Sequence, residues 1–311
     1  MKKSVLLVFI IVLTNLITSF SFAENNVGIQ TIQTKKSDYN GVHLKENIVY
    51  ARTERKPLHL HILLPKQKST PRPLIVFIKG GGWGFHHPQR TFEFIPQLVP
   101  FSKNGYVVAS IEHRTSHEGK FPTQLFDVKS AIRYLRAHSA EYNIDKNRIG
   151  VWGNSSGGHL AALLGTTGGV EELEGNGEYL SESSKVQAVV DWYGPTDLLQ
   201  MSKYPSDFDF DSPDSAESVL IGGALQENKD KVKRANPITY ITSDDPPFLI
   251  MHGDKDRRVP FNQSVLLFDA LKKANIEVTM YKIKGAGHGG FSQPEILKTV
   301  QQFFDTHLQG R

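Results

Sequence analysis

The chain has 311 residues, 39% hydrophobic and 22% charged, a length sufficient for one large domain or two small ones. Its formal charge of +4 is a small basic excess without a dense Lys/Arg block, which argues against a nucleic-acid partner. Cysteine is absent, so disulfides, a thiol nucleophile and a lipid anchor on Cys are excluded, and any nucleophile must be an oxygen or nitrogen group.

Lys2 and Lys3 precede an apolar run from Val5 to Leu13 and a weaker one to Phe20. Ser21-Phe22-Ala23 then offers small residues where a signal peptidase reads. Residues 1–23 are therefore predicted to be a secretory signal cut after Ala23, leaving a periplasmic or secreted protein with no stable membrane anchor. An uncleaved anchor is the competing reading, but Thr14, Asn15, Thr18 and Ser19 interrupt the span. Cleavage removes two lysines and no acids, so the charge falls from +4 to +2. Residues 24–46 are polar and weakly patterned and are predicted to form an N-terminal arm, with the folded domain at 47–311.

Leu58, Leu60, Ile62 and Leu64 alternate with polar neighbours and predict a half-buried strand. The unbroken apolar run Leu74–Ile78 predicts a strand buried on both faces, and Tyr106–Ile111 another. Apolar residues at helical spacing predict a helix over 124–140. Ile149–Gly153 reads as a strand followed by a helix through His159–Leu164. Further strands are predicted at Val186–Trp192, Pro247–His252 and Val278–Ile283, with helices at Asn262–Ala274 and Pro294–His307. This alternation predicts an α/β domain with a mostly parallel sheet covered on both faces, and a functional site at the carboxyl ends of the strands. The polar, irregular stretch 196–243 is predicted to be a small cap over those ends.

The residues that follow the strands carry the chemical signals. Gly153-Asn154-Ser155-Ser156-Gly157 matches G-x-S-x-G in the strand-turn-helix setting where that motif exposes a serine oxygen at the top of a sheet. Lys79-Gly80-Gly81-Gly82-Trp83-Gly84 follows the buried strand ending at Ile78, and glycine N–H groups with no side chain in the way suit an oxyanion. Gly81, Gly82 and Ser156 are thus the candidate oxyanion donors. Asp256, with Asp254 as rival, follows the strand ending at His252, and His288 follows the strand ending at Ile283. The order Ser155, Asp256, His288 is that of a serine-hydrolase triad on an α/β sheet.

These motifs, with Asp191-Trp192-Tyr193-Gly194-Pro195-Thr196-Asp197, resemble the α/β hydrolases near the hormone-sensitive-lipase and acetyl-xylan/feruloyl esterase group, often labelled BD-FAE. The resemblance runs from Lys56 to the C-terminus. It implies the α/β-hydrolase fold and a serine esterase without cofactor or metal, and it selects Asp256, three residues before Val259-Pro260, as the acid. It departs in one place: Lys79 stands where a histidine usually opens the glycine motif. Trp83, Trp192 and Tyr193 are the expected pocket aromatics, suited to sugar or phenolic rings. The expected substrate is accordingly a small-molecule or polysaccharide ester with a short or aromatic acyl group.

A generalist carboxylesterase or lipase is the alternative on the same triad, since the triad is indifferent to the alcohol. A serine peptidase of the same fold usually carries a propeller domain that the length does not accommodate, and a non-catalytic binding module typically loses a triad member. Three other features carry no function in the sequence. His59 and His61 share a strand face with no third metal ligand and read as solvated. Asp207, Asp209 and Asp211 lack the Gly and Glu that complete a calcium loop. His86-His87 could flank the pocket or lie on the surface.

Overall fold

The computed structural model describes residue 39 and residues 41–66, 70–84 and 88–310. The leader, most of the arm and His86-His87 lie outside these residues. The described residues build an eight-stranded sheet in the order β1-β2-β4-β3-β5-β6-β7-β8. The strands are β1 (Val42–Arg52), β2 (Pro57–Pro65), β3 (Arg72–Ile78), β4 (Val107–Ile111), β5 (Ile144–Asn154), β6 (Ala188–Trp192), β7 (Phe248–Gly253) and β8 (Val278–Ile283). From β4 through β8 every pairing is parallel, whereas β1 and β2 join antiparallel at one edge.

The central strands are buried on both sides, and alternate residues serve different layers. On β3, Leu74, Val76 and Ile78 join the core formed with α2 (Thr123–Ala137) and α3 (Ser156–Thr166). Phe77 points the other way. It stacks on Phe94, just ahead of α1 (Ile95–Lys103), at 4.6 Å and meets Trp152 edge-on at 5.2 Å. On that second face α5 (Pro294–Phe304) lays Phe304 against Gly150, where an added Cβ would come within 2.6 Å of the ring. With α4 (Asn262–Lys273), the helices cover both sides of the parallel sheet, as the alternation of strands and helices requires.

The sequence reading needs four corrections. The arm is shorter than predicted, because residues 42–46 already belong to β1. β2 is not half-buried: Leu58, Leu60, Ile62 and Leu63 are all fully buried. The His59/His61 face is not solvated. His61 is 3% exposed and meets Phe92 edge-on, while His59 Nδ1 lies 3.3 Å from Glu112 Oε2. The predicted helix 124–140 ends at Ala137, and a separate turn of helix occupies Ser139–Tyr142.

After β6, residues 196–243 form short helical turns, including Ala216–Ile221 and Lys229–Arg234, that sit beside the carboxyl ends of the strands. The three alternating aspartates are accounted for within this cap. Asp207 pairs with Arg257 at 2.6 Å, Asp209 accepts from Asp211 N–H, and Asp211 accepts from Gln226.

Candidate active site

The turn between β5 and α3 is dictated by close approach. An added Cβ on Gly153 would lie 2.0 Å from Gly157 O, and one on Gly157 would lie 2.0 Å from Ile78 O. Only glycine lets strand, helix and the end of β3 converge so tightly. The convergence leaves Ser155 at φ 55° and ψ −127°, a strained conformation for a residue with a side chain. The strain is held by Ser155 N–H donating to Trp192 O at 2.8 Å and by His159 N–H donating to Ser155 O at 3.1 Å.

Two loops bring partners to this serine. Ser155 Oγ lies 2.9 Å from His288 Nε2, and His288 Nδ1 lies 2.7 Å from Asp256 Oδ2. Asp256 Oδ1 accepts from the N–H groups of Arg258 (2.8 Å) and Val259 (2.9 Å), which fixes the carboxylate plane. Burial acts to raise the Asp256 carboxyl. Hydrogen bonds from His252 and His288, with the Val259 N–H, outweigh it and hold the group well below the usual carboxylate range. Asp256 is therefore ionised at neutral pH. Asp254 does a different job: its Oδ1 accepts from Gly285 N–H at 2.7 Å and ties the two loops together.

His252 was not assigned from sequence. It is fully buried, with Nε2 3.2 Å from Asp256 Oδ2 and 2.9 Å from Val259 O, and Nδ1 2.7 Å from Ser264 Oγ. It approaches the same Asp256 oxygen that faces His288 Nδ1. Its only sequence signal is its place at the end of β7, two residues before the acidic loop begins.

The glycine run divides its N–H groups. Gly80 donates to Asn154 Oδ1 at 2.9 Å and Gly81 donates to Ser156 Oγ at 3.0 Å. Gly81 is thus a brace between loop and helix, not a free oxyanion donor as expected. Among the described residues no acceptor takes the N–H of Gly82 or of Ser156, and both residues line a cavity with Ser155. Lys79 pairs with Glu93 and lies 5.9 Å from the Phe94 ring centroid, so this substitution anchors the loop to the segment ahead of α1.

The cavity has a volume of about 250 Å³ and runs from Ser155 under the cap to Phe208, Phe210, Glu217 and Arg258. Of the three expected pocket aromatics, Trp83 borders it but is 2% exposed, with its indole N–H donating to His159 Nδ1 at 3.2 Å. Trp192 does not border it: it packs in the core between Trp152 and Phe291. Tyr193 does not border it either. Its ring meets His288 edge-on at 4.7 Å and its hydroxyl accepts from Asn154 Nδ2 at 3.3 Å, so it positions the histidine. The error has a plain cause: a motif at a strand end places alternate side chains in the core and in the site, and the sequence does not say which.

The comparisons with known proteins agree with this geometry. The BD-FAE family model matches residues 60–271. Esterase LipC of Mycobacterium tuberculosis is 32% identical over 71% of this chain and 54% of its own length. The chain spans about half the length of the first curated relatives it matches. A carbohydrate esterase from gut microbiota, solved in truncated form, superposes with a TM-score of 0.79 at 38% identity, covering 86% of this chain and 96% of that one. Esterase Est2 of Thermogutta terrifontis with propionate bound gives a TM-score of 0.69 at 29% identity over 86% of this chain and 94% of its own. With its α/β-hydrolase sheet and the family match over most of the folded residues, this chain belongs to the BD-FAE family.

Proposed function

We propose that this protein is a serine carboxylic ester hydrolase, exported from the cell, that removes short acyl groups from carbohydrates through an acyl-enzyme. The observation that carries the reading is the continuous hydrogen-bonded row Ser155–His288–Asp256 opening on a cavity lined by Gly82 and Ser156, whose N–H groups no described residue accepts. His288 Nε2 takes the proton as Ser155 Oγ bonds to the ester carbonyl carbon. Asp256 holds the tautomer with its proton on Nδ1 and stabilises the imidazolium that forms. The negative charge on the carbonyl oxygen falls to the N–H groups of Gly82 and Ser156. The tetrahedral species then expels the alcohol, which takes the proton back from His288, and water repeats the sequence to release the acid.

Three features support the substrate class. The cavity, at about 250 Å³, is small for a ligand site and favours a short acyl group over a long chain. Its lining includes Asp209, Asp214, Glu217 and Arg258, an unfavourable wall for a lipid tail. Phe208, 45% exposed at the cavity, offers the aromatic face that Trp192 and Tyr193 do not. Of the similar structures, one is a carbohydrate esterase and another an esterase with propionate bound, which fits a short acyl group on a sugar. Export rests on the leader reading alone, and the test is mass spectrometry of the mature N-terminus, expected at Glu24.

The test of the chemistry is Ser155→Ala, expected to lower kcat by a factor on the order of 10³ or more with the fold intact. Near-wild-type activity would refute the serine mechanism. The substrate class is tested by kcat/KM across acetyl, butyryl, feruloyl and decanoyl esters and acetylated xylan. A preference of roughly tenfold, about 1.4 kcal/mol, for the decanoyl ester would replace the carbohydrate reading with a lipase.

A further inference from the structure

One wall of the cavity beside Ser155 holds two charged side chains that the hydrolytic row does not use. Glu217 sits in the second position of the short helix Ala216–Ile221, whose N-cap Ser215 accepts from Ser218 N–H and donates to Phe210 O. That helix abuts the oxyanion loop, since an added Cβ on Gly82 would lie 3.3 Å from Ala216 Cβ. Glu217 is 9% exposed and borders the cavity with Ser155 and Gly82. Among the described residues no side chain donates to its carboxyl, and only its own backbone N–H stands beside it. Burial pushes that carboxyl up to about 7, against a partial lowering by Arg258. Arg258 follows the acid loop, its N–H bonded to Asp256 Oδ1. Its guanidinium has no carboxylate within ion-pair distance among the described residues and lies 4.4 Å from the Phe208 ring centroid.

A carboxyl group this buried is costly to ionise with only its own N–H beside it, and the Arg258 guanidinium keeps donors that no described carboxylate takes. A ligand that presents adjacent hydroxyls serves both groups, since each hydroxyl can donate to the buried acid and accept from the exposed guanidinium. Phe208 adds a flat apolar face of the kind that covers the C–H side of a sugar ring. An acyl chain would satisfy neither charged group.

We propose that Glu217 and Arg258 are the residues that select the alcohol half of the substrate, reading vicinal hydroxyls of a glycosyl unit whose ester lies at Ser155. The inference rests on the carbohydrate-ester reading above and names the residues that would impose it. Asp209 and Asp214 also border the cavity, but both are exposed, and Asp209 is already engaged with the Asp211 N–H.

The experiment compares two esters with the same acyl group: a mono-acetylated xylobiose and p-nitrophenyl acetate, whose alcohol carries no further hydroxyl. Wild type, Glu217→Gln, Glu217→Leu and Arg258→Leu are assayed on both, with circular dichroism to confirm folding. The ratio of kcat/KM for the sugar ester to that for p-nitrophenyl acetate should fall by about tenfold or more in both leucine variants, the loss appearing mainly in KM. Glu217→Gln, which keeps an acceptor and gains a donor, should recover part of the ratio. Free xylobiose should also inhibit wild-type cleavage of p-nitrophenyl acetate, and do so more weakly in Glu217→Gln. That measurement stands even if the leucine variants fail to fold. An unchanged ratio in every folded variant, with sugar-ester activity present in wild type, would overturn the assignment of Glu217 and Arg258 alone. Wild-type protein that cleaves p-nitrophenyl acetate but no acetylated sugar would overturn the carbohydrate reading together with this one.

Discussion

Asp254 and Asp256 are two residues apart and bear the same charge, yet their surroundings give them separate tasks. Asp256 is buried and accepts from two backbone N–H groups, His252 and His288, while Asp254 closes a loop through Gly285 N–H. Replacing Asp256 with Asn would turn an amide toward His288 Nδ1 and favour the wrong tautomer, so kcat should fall by roughly 10⁴. Asp254→Asn keeps an acceptor for Gly285 and should change kcat by less than about threefold. Steady-state kinetics on the two variants decide the matter, and the reverse ranking would mean that Asp256 is structural. The residues alone left this choice open in the sequence, because both aspartates occupy the same polar turn. What separates them is contact with His252 and His288, which lie on other segments. The same limit explains Gly81, whose N–H is spent on Ser156 Oγ, a partner 75 positions away in sequence. Residue types and their order single out candidates for a serine, a histidine and an acid; hydrogen-bond partners do not follow from order.

The tight turn after β5 is the element on which the site depends, and its tolerances are measurable. An alanine methyl at Gly157 would enter the carbonyl of Ile78 at 2.0 Å and approach Lys79 C at 3.0 Å, so either β3 or α3 must shift. Such overpacking against backbone costs about 3 kcal/mol or more, which should lower Tm by roughly 6 °C or leave the variant insoluble. Gly287→Ala is the control, because its added Cβ meets nothing nearer than Lys255 O at 4.0 Å and its Tm should stay within about 2 °C of wild type. Equal Tm values for both variants would mean that the turn relaxes freely. Elements of this kind were legible because parallel strands are continuous apolar runs and their helices keep a regular period. β1 was not legible. It lies at the sheet edge, breaks register between Lys45 and Ile48 and between Val49 and Ala51, and mixes charged with apolar residues. The cap was visible only as irregularity, since turns of three to six residues carry no period.

At the scale of the whole molecule, one buried side chain joins the glycine loop, the helix after Ser155 and the cap. His159 is fully buried on α3, where Nδ1 accepts from Trp83 of the oxyanion loop and Nε2 lies 2.7 Å from Ala235 O in the cap. These partners define a neutral imidazole with its proton on Nε2. A second proton on Nδ1 would face the indole N–H as donor against donor. Burial accordingly lowers its pKa to about 4, against a smaller raising effect of the Ala235 bond. The folded value lies below the unfolded value of about 6.5, so the unfolded chain binds the proton first as pH falls. The contribution of neutral His159 is complete above pH ~6.5 and is lost between pH ~6.5 and ~4, a swing of about 3 kcal/mol. Asp191, raised by burial to about 6, and Glu217, raised by burial to about 7, act in the opposite direction over overlapping windows. Total stability therefore conceals the effect, and a difference between two proteins exposes it. His159→Gln keeps a donor and an acceptor but does not titrate, while Asp191 and Glu217 contribute equally to both proteins. Urea unfolding at pH 7, 5.5 and 4 should show wild type losing about 3 kcal/mol relative to His159→Gln over that range. Curves that stay parallel would mean that His159 takes up its proton without disturbing the fold.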